Sequence, residues 1–417
     1  MSFVNMIELL APAGDFEKLK MAIHYGADAV YAGGENFSLR ERSGNFSMPE
    51  LAEAVKYTHR AGKKIYVAVN IYAHNRDIEI LPPYLKDLHN AGIDGIILSD
   101  PGILMMVKEI MPGVDIHMST QANTTNYKSV QFWQALGVSR FVLARELSLE
   151  EIKEIREKTT AEIEVFVHGA QCMAYSGRCL ISNYLADRGA NQGDCAQSCR
   201  WNYSLVEEKR PGEFHEVEED SRGTYFFNSK DLALIEHIPQ LIEAGVHSVK
   251  IEGRVKSIHY TSTVVRAYRE AIDSYYTDKE INAGKRYFRE LKKISHRDYS
   301  TGFFFGNPGA AGQSYDSSRP SKGFTFLGKI IKTEGNEAWI EIKGKFSIGD
   351  TIEVMRRQIK DDFIYTIDAI FDEKGSPIEF VKPNTISRVI FDRAVSENDL
   401  VRLYEEINVL DQEMLSV

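Results

Sequence analysis

The first three hundred residues of this 417-residue chain alternate short apolar segments with amphipathic ones. Such alternation predicts parallel strands joined by helices. Eight segments are predicted to be strands, and they cover residues 7–11, 28–32, 64–70, 95–99, 115–119, 140–145, 162–168 and 246–252. Eight strand–helix repeats favour an α/β fold, a (β/α)8 TIM-like barrel. A doubly wound sheet would also alternate, but the turn at 12–15 (Pro-Ala-Gly-Asp) lacks the glycine-rich phosphate loop typical of that fold.

A long insertion, residues 169–229, separates the seventh and eighth predicted strands, and a helix is predicted after it over 231–244. A hairpin is predicted inside the insertion around 210–212. All four cysteines of the chain lie in this insertion, spaced C-x6-C-x15-C-x3-C: Cys172, Cys179, Cys195 and Cys199. Loops that leave the carboxyl ends of barrel strands build the active site. We therefore expect the cysteines at the catalytic face.

The cysteine cluster has three chemical interpretations. Residues 1–10 lack the basic start and long apolar run of a signal peptide, so a cytoplasmic location is expected, where structural disulfides are rare. Structural zinc sites usually carry short C-x2–4-C pairs at both ends, and only Cys195 and Cys199 are that close. All-cysteine ligation with wider spacing favours an iron–sulfur cluster. Zinc and a disulfide remain alternatives.

The texture of the chain changes after the barrel, which is predicted to occupy residues 1–305. Residues 306–321 are rich in Gly, Ser and Pro and indicate a linker. Short alternating strands then predict a small antiparallel β-barrel domain over 322–405, a candidate RNA-binding domain, followed by a tail, 406–417. No apolar run approaches the ~18 residues of a membrane helix, so no membrane partner is expected.

The net charge of −10 argues against a chain that is basic over its whole surface. One segment departs from this balance: residues 285–297 hold six Lys or Arg and one acid. This cationic segment has two interpretations, the solvated face of a helix or a strip that contacts phosphates.

Polar side chains follow the predicted strands at the end where a barrel carries its active site. The catalytic candidates among them are Arg145, His168, Lys250 and Glu252, and the substrate-binding candidates are Arg40, Asn70, Gln121, Asn123, Tyr175 and Arg254. Several cations at one mouth favour an anionic ligand, because guanidinium groups match carboxylate and phosphate. Two structural explanations compete: Lys250, Glu252 and Arg254 neutralise each other, and His168 is a packed strand-end histidine.

Six stretches of the sequence form a recognisable set: ELLAPAG at 8–14, GADAVY at 26–31, EVFVHGAQC at 164–172, YSGRCLIS at 175–182, KIEGR at 250–254 and YSTGF at 299–303. Together they resemble the collagenase-like "peptidase U-32" family, and more narrowly its prephenate-dependent tRNA uridine hydroxylases. The resemblance spans almost the whole chain. Neither H-E-x-x-H nor G-x-S-x-G, two protease motifs, occurs in the sequence.

The resemblance implies a barrel whose four cysteines hold a 4Fe–4S cluster, with zinc able to replace it in an aerobic preparation. It implies tRNA as partner and hydroxylation at carbon 5 of the wobble uridine, with prephenate as co-substrate. Prephenate is a dicarboxylate, and Arg145, Lys250 and Arg254 would suit it. Tyr175 or Phe37 would stack on the base, with simple packing as the alternative for either ring. Related members act on ribosomal RNA or in quinone synthesis. A collagenase-like peptidase and a zinc-stapled RNA-binding or assembly module are the alternatives.

Overall fold

The computed structural model describes residues 6–35, 37–38, 44–172, 174–188, 190–192, 194–200, 219–220, 223–224, 229–278, 283–312, 321 and 323–405. Some of the expectations above fall at least partly outside the described residues: Arg40, much of the insertion 169–229 with its hairpin around 210–212, residues 313–320 of the linker, and the tail at 406–417. The chain divides into two compact units, one of residues 1–291 and 296–321, the other of residues 292–295 and 322–417.

Eight parallel strands close into a barrel in the first unit, so the predicted TIM-like fold is confirmed. The strands are β1 Glu8–Pro12, β2 Ala29–Gly33, β3 Lys64–Val69, β4 Gly95–Leu98, β5 Asp115–Met118, β6 Arg140–Val142, β7 Glu162–Ala170 and, after three short strands, β11 Ser248–Ile251. Neighbours pair in sequence order, and β11 closes the ring by pairing with both β1 and β7. The last ring position is thus filled only after the insertion.

Helices surround this barrel, except for one in the cysteine-bearing insertion, Ile181–Ala186. They are α1 Phe16–His24, α2 Met48–Arg60, α3 Asn75–Ala91, α4 Pro101–Ile110, α5 Tyr127–Ala135, α6 Leu149–Glu157, α7 Ile181–Ala186, α8 Ile238–Glu243, α9 Ile258–Asp278 and α10 Ala283–Leu291. Side-chain caps fix several starts: Asp15 accepts from the Lys18 amide, and Ser148 with Glu151 forms a capping box. No described helix is long and apolar enough to cross a membrane.

The insertion leaves and re-enters the barrel through paired strands. Two short strands, β8 Glu219–Asp220 and β9 Gly223–Thr224, pair within it. Strand β10, Asp231–Ala233, then runs antiparallel to the end of β7 and parallel to β12, Tyr299–Ser300. The helix predicted over 231–244 is therefore wrong in its first part, because β10 is a strand and α8 begins at Ile238. Its partners are distant in sequence, so local periodicity does not reveal the strand.

Strand β7 is irregular where it leaves the barrel. Lys250 is paired with Phe166, but the next residue of β11, Ile251, is paired with His168, so one residue of β7 is left out of the ladder. A bulge of this kind changes the face on which the following side chains lie. Phe166 therefore faces the barrel interior, whereas His168 packs outside it against Tyr268 of α9 and Tyr299.

The second unit is a curled antiparallel sheet around its own core, as the sequence predicts. Its strands are β13 Phe326–Glu334, β14 Glu337–Ile342, β15 Thr351–Met355, β16 Phe363–Thr366, β17 Ile370–Phe371, β18 Pro377–Ile378, β19 Ile386–Ile390 and β20 Leu400–Leu403. The strand order is β16-β15-β20-β13-β14-β19-β17-β18. Leu327, Ile340 and Val354 are fully buried in the shared core, which explains the period-two apolar pattern of these strands.

Candidate functional site

A cavity of about 480 Å³ lies at the carboxyl end of the barrel strands. All four cysteines line it, together with six of the predicted polar residues: Asn70, Gln121, Arg145, Lys250, Glu252 and Arg254. Ala68, Ile97, Val142 and Phe166 supply an apolar wall. The insertion and the barrel strands thus contribute side chains to the same enclosed space, which is the usual form of a small-molecule site.

The cysteine-bearing insertion is anchored to the loop after β6 by Ser176. The Ser176 amide donates to Glu146 Oε1 at 2.8 Å, and its hydroxyl donates to Glu146 Oε2 at 2.5 Å. The Arg145 amide donates to the Ser176 hydroxyl at 3.2 Å. Ser176 is 1% exposed, so breaking this junction would leave buried polar groups unsatisfied. Glu146 therefore fixes the segment between Cys172 and Cys179.

Asn191 forms a second anchor, to the loop after β3. Its carbonyl accepts from the Tyr72 amide at 3.1 Å, and its side-chain oxygen accepts from the Cys179 amide at 3.2 Å. The Cys195 segment is held by Ser182, whose hydroxyl accepts from the Ala196 amide at 2.8 Å. These bonds fix the cysteine backbone relative to the barrel strands.

The four thiols lie at the wall of one cavity and could hold a metal ion or a cluster. Thiolate sulfur is a donor that both structural zinc and iron–sulfur clusters take. The donor set therefore fits an iron–sulfur cluster, and it fits zinc as well.

One amide already faces a cysteine sulfur. The Gln197 amide lies 3.4 Å from Cys195 Sγ, and Gln197 takes a left-handed φ of 56°. Hydrogen bonds to ligating sulfur stabilise the more negative state of a cluster and so tune its reduction potential.

The cavity wall is strongly cationic. Four cations, Arg145, Lys250, Arg254 and Lys256, line it with one carboxylate, Glu252. The Arg145 guanidinium lies 3.9 Å from the Phe166 ring centroid and 3.4 Å from Glu252 Oε2. This excess of positive charge at a partly enclosed site attracts an anion.

Arg254 is held by close backbone packing. Its Nη1 donates to the Ser38 hydroxyl at 2.8 Å. A Cβ on Gly33 would lie 2.0 Å from that Nη1, and a Cβ on Gly14 would lie 2.0 Å from the Arg254 carbonyl oxygen. A side chain at Gly14 would thus meet backbone, and one at Gly33 would displace the Arg254 guanidinium. The turn after β1 and the end of β2 therefore lie against Arg254.

A buried charge layer lies inside the barrel around Lys250. Glu164, 0% exposed, contacts Lys250 Nζ at 2.8 Å and Arg140 Nη1 at 3.4 Å. Burial alone would lower the pKa of Arg140, but Glu8 and Glu164 outweigh it and raise that pKa further above its usual range. Burial, with Arg140 and Lys250 nearby, holds the pKa of His117 well below 6.5. Lys250 is thus oriented by a carboxylate that faces away from solvent.

A chain of amides and hydroxyls forms another part of the wall. The Asn70 side chain donates to Ser119 Oγ at 3.3 Å and to Gln121 Oε1 at 3.1 Å, and Ser119 also contacts Gln121. The Tyr72 hydroxyl donates to the Gln121 carbonyl at 2.7 Å. Such a fixed polar network can read the donors and acceptors of a bound base or acid.

Three predicted site residues do not line the cavity. His168 is 1% exposed, has rings of Tyr260, Tyr268 and Tyr299 within 5.8 Å, and has no hydrogen-bond partner for either ring nitrogen among the described residues. Burial, with smaller effects of His296 and Lys256, lowers its pKa to about 3, so the ring is neutral.

The other two are Asn123 and Tyr175. Asn123 takes a left-handed φ of 52° at the end of a short 3₁₀ turn, Thr120–Ala122. Tyr175 is 58% exposed on the insertion. Neither belongs to the cavity lining.

The cationic segment 285–297 begins on α10. Lys285, Arg286 and Arg289 are exposed, while Tyr287 and Leu291 are buried beneath them. A buried ion pair of 2.7 Å between Arg266 and Glu290 fixes the inner face of this helix. The three exposed cations therefore stand on a rigid support.

Several site residues were missed by the sequence reasoning. Glu146 and Ser176 carry no pattern that distinguishes them from other loop residues, and Asn191 lies in an irregular segment. Glu164 had a usable signal, since it is an acid inside the apolar strand Glu162–Ala170. A charge in a strand buried on both sides must be paired, so a cationic partner such as Lys250 could have been predicted.

Two family profiles and several known proteins are similar to this chain over most of its length. The profile of peptidase family U32 matches residues 14–314, and that of the peptidase family U32 C-terminal domain matches residues 322–402. A Bacillus subtilis "tRNA hydroxylation protein P1" is 42% identical over 399 residues, 95% of this chain and 94% of that protein. An Escherichia coli "tRNA hydroxylation protein P" is 40% identical over 88% of this chain and 90% of that protein.

A relative with a different name is nearly as long a match. A Porphyromonas gingivalis "Collagenase" is 34% identical over 84% of this chain and 87% of that protein. The two matched regions include the cysteine-lined cavity, the barrel strands from β2 onward and most of the second unit. The chain belongs to peptidase family U32.

Proposed function

We propose that this chain is an enzyme that hydroxylates tRNA, at carbon 5 of the wobble uridine, with prephenate as co-substrate and an iron–sulfur cluster as cofactor. The observation that carries the proposal is likeness over nearly the full chain to proteins named for tRNA hydroxylation, at 42% and 40% identity. The cavity at the barrel mouth supports it, because it combines metal-binding thiols with cations and a polar amide network.

The cluster would be held by Cys172, Cys179, Cys195 and Cys199. When bound, it would supply one-electron chemistry or a site for the oxygen donor. The chain's own part is to hold the four sulfurs at the cavity, to donate the Gln197 amide to Cys195, and to cover the mouth with the insertion. Glu146 and Asn191 keep that cover in place.

The co-substrate would bind through the cationic wall. Replacing the carbon 5 hydrogen of uridine by hydroxyl is a two-electron oxidation, so a co-reactant must accept the electron pair. We assign this part to prephenate: its carbon–oxygen bond would break, its hydroxyl oxygen would form the new bond to carbon 5, and the hydrogen displaced from carbon 5 would reduce the ring carbon of prephenate. Its two carboxylates suit Arg145, Lys250 and Arg254, because charge-assisted hydrogen bonds to carboxylate are strong in a partly buried site. Phe166 and Tyr31 would pack against the ring of the acid.

The uridine would have to leave the anticodon stack to reach the cavity, as bases generally do in modifying enzymes. The Asn70–Gln121 pair offers an amide donor and acceptor of the kind that reads a uracil edge. The exposed cations of α10 would contact the RNA backbone, since phosphate contacts position a nucleic acid without reading its sequence.

A peptidase is the competing function, and a relative named collagenase raises it. Nucleophilic proteolysis by serine or cysteine needs a base beside the nucleophile. Among the described residues that line the cavity there is no histidine, the base that most serine and cysteine proteases use. The four clustered thiols are also unexplained by a one-thiol mechanism, so the cavity favours hydroxylation over proteolysis.

The test is an anaerobic reaction with purified components. Protein reconstituted with iron and sulfide is incubated with an unmodified tRNA transcript, with and without prephenate, and nucleosides are analysed by mass spectrometry. We expect a uridine that has gained one oxygen atom, only when prephenate is present. Iron and zinc are measured in the same preparation, and a Cys195→Ser variant should lose iron.

Two variants separate binding from fold. Lys250→Met should raise the prephenate concentration needed for half-maximal rate, whereas Lys153→Met, an exposed cation on α6 paired with Glu150, should behave as wild type. If iron-loaded protein leaves tRNA unchanged but hydroxylates ribosomal RNA fragments, the proposed substrate changes from tRNA to ribosomal RNA. A colourless, iron-free protein that cleaves collagen would overturn the proposal.

A further inference from the structure

Phe380 is a large aromatic side chain on the surface of the second unit, and it is 44% exposed. It follows β18 and forms an isolated antiparallel bridge with Ser347. The Ile348 amide donates to the Glu379 carbonyl and the Val381 amide donates to the Phe346 carbonyl, each at 2.9 Å. Phe380 therefore lies in a pair of extended segments, a ribbon, that backbone hydrogen bonds hold together.

Alternation along this ribbon decides which side chains share its outer face. Phe346 and Val381 are each 1% exposed and belong to the core of the unit. Their neighbours Lys345, Phe380 and Lys382 are exposed, as expected for side chains that alternate between two faces. We call Lys345, Phe380 and Lys382 together the Phe380 platform.

Two ammonium groups flank the ring of the platform. Lys345 Nζ lies 5.3 Å and Lys382 Nζ 5.9 Å from the ring centroid. In the part of the chain that the structure describes, neither ammonium has a carboxylate within 4.0 Å. Both positive charges are therefore available to an incoming anion.

Other aromatic–cation pairs of the same unit differ in this respect. Lys332 lies over Trp339 but pairs with Glu334 at 2.6 Å. Arg388 lies over Phe371 but pairs with Glu337 at 2.6 Å. A carboxylate neutralises the cation in each of these two pairs, whereas neither ammonium group of the platform has a carboxylate within 4.0 Å among the described residues.

We infer that the Phe380 platform binds single-stranded RNA, with one unpaired base stacked on the Phe380 ring and the neighbouring phosphates on Lys345 and Lys382. Stacking on an exposed ring beside cations is how proteins hold single strands without reading sequence. A membrane or an apolar protein surface would require a larger apolar patch. The inference rests on the proposed function, because it supplies a contact for an RNA substrate.

The test measures RNA binding directly and does not depend on hydroxylation. Full-length protein is titrated against a fluorescently labelled uridine-rich oligoribonucleotide and against a tRNA transcript, at several salt concentrations. Phe380→Ala should weaken binding of the oligoribonucleotide about 5- to 150-fold, the range that one stacked base contributes. The double variant Lys345→Ala/Lys382→Ala should lower the slope of log affinity against log salt by about 1.4.

Matched variants exclude a general effect on folding. Phe380→Tyr should bind as wild type and Phe380→Leu should bind as weakly as Phe380→Ala, because only the former keeps a stacking face. Phe132→Ala, which removes a 60% exposed ring of α5, and Lys332→Ala should leave binding unchanged.

The outcomes distinguish this inference from the function on which it rests. If wild-type protein binds RNA and Phe380→Ala binds equally well, the platform is wrong and the hydroxylase stands. If wild-type protein hydroxylates tRNA in the reaction above but the platform variants retain full RNA affinity, the inference is overturned and the proposed function is unaffected. If wild-type protein binds neither RNA, both proposals fail.

Discussion

Glu164 is expected to be the residue on which the buried charge layer of the barrel depends. It is fully buried and contacts Lys250 Nζ at 2.8 Å and Arg140 Nη1 at 3.4 Å. Glu164→Gln keeps the shape of the side chain but removes its charge. Arg140 would retain Glu8 and, at 2.7 Å, Glu162. Lys250 would retain no carboxylate within 4.0 Å among the described residues, only the rings of Tyr31 and Phe166.

The expected loss of unfolding free energy follows from the difference between Arg140, which keeps two carboxylate partners, and Lys250, which keeps none among the described residues. Removing one partner of a buried ion pair costs about 3–5 kcal/mol, because the other charge is left uncompensated. We expect Glu164→Gln to fall in that range. Lys250→Met should cost less, because Glu164 would still contact Arg140. The double variant should cost less than the sum of the two, because it leaves neither Lys250 nor Glu164 unpaired.

The assay is urea unfolding followed by tryptophan fluorescence. A Trp339→Phe background removes the tryptophan of the second unit, so that Trp133 and Trp201 report on the rest of the chain. Glu162→Gln is the matched control, since its carboxylate contacts Arg140 but is 49% exposed, and exposed pairs contribute about 0–1 kcal/mol. Additive losses, within about 0.5 kcal/mol, would refute the reasoning.

Three further predictions concern other parts of the chain. His168 is neutral in the fold, and its depressed pKa of about 3 means that only the unfolded chain gains its proton as pH falls below 6.5. Protonation of the unfolded chain lowers the free energy of unfolding by about 2 kcal/mol at pH 5. The melting temperature of His168→Phe should therefore fall less between pH 7 and pH 5 than that of wild type or of His89→Gln, a control at an exposed site. Equal falls in melting temperature would contradict this prediction. Glu146→Gln should release the insertion, so that the thiols of the metal-free protein react faster with a disulfide reagent; an unchanged rate would show that Ser176 does not depend on Glu146. Replacing the three exposed cations of α10 (Lys285, Arg286 and Arg289) by alanine should lower the slope of log tRNA affinity against log salt by about 2–3. An unchanged slope would show that these side chains are merely solvated and do not contact RNA.

The barrel was predictable because its signal is local and repeated. Each strand is a short apolar run, and several helices have a side-chain cap or a following glycine, so eight weak signals add up. Strand β10 was missed because Asp231–Ala233 becomes a strand only by pairing with the distant β7 and β12. Three residues are too short for their own pattern to compete with a helix that follows.

The sequence predicted which end of the barrel carries the candidate site, but it did not predict for every side chain whether it faces the cavity. Residues directly after strands line the cavity where the strand is regular, as Asn70 and Arg145 do. His168 lies at a bulge, and a single residue omitted from the ladder turns it away. Sequence periodicity cannot place such an irregularity, because the bulge depends on how β7 pairs with β11.

The cysteines and the cations line one cavity, and this has a thermodynamic consequence. A group bound to the sulfurs and an anion bound by Arg145 or Lys250 would share walls held by the same insertion. Two ligands that stabilise one arrangement of a protein strengthen each other's binding, and the coupling factor is the same in both directions. An anion that raises the equilibrium affinity for iron by some factor should therefore bind more tightly, by the same factor, to the iron-loaded protein than to the metal-free protein.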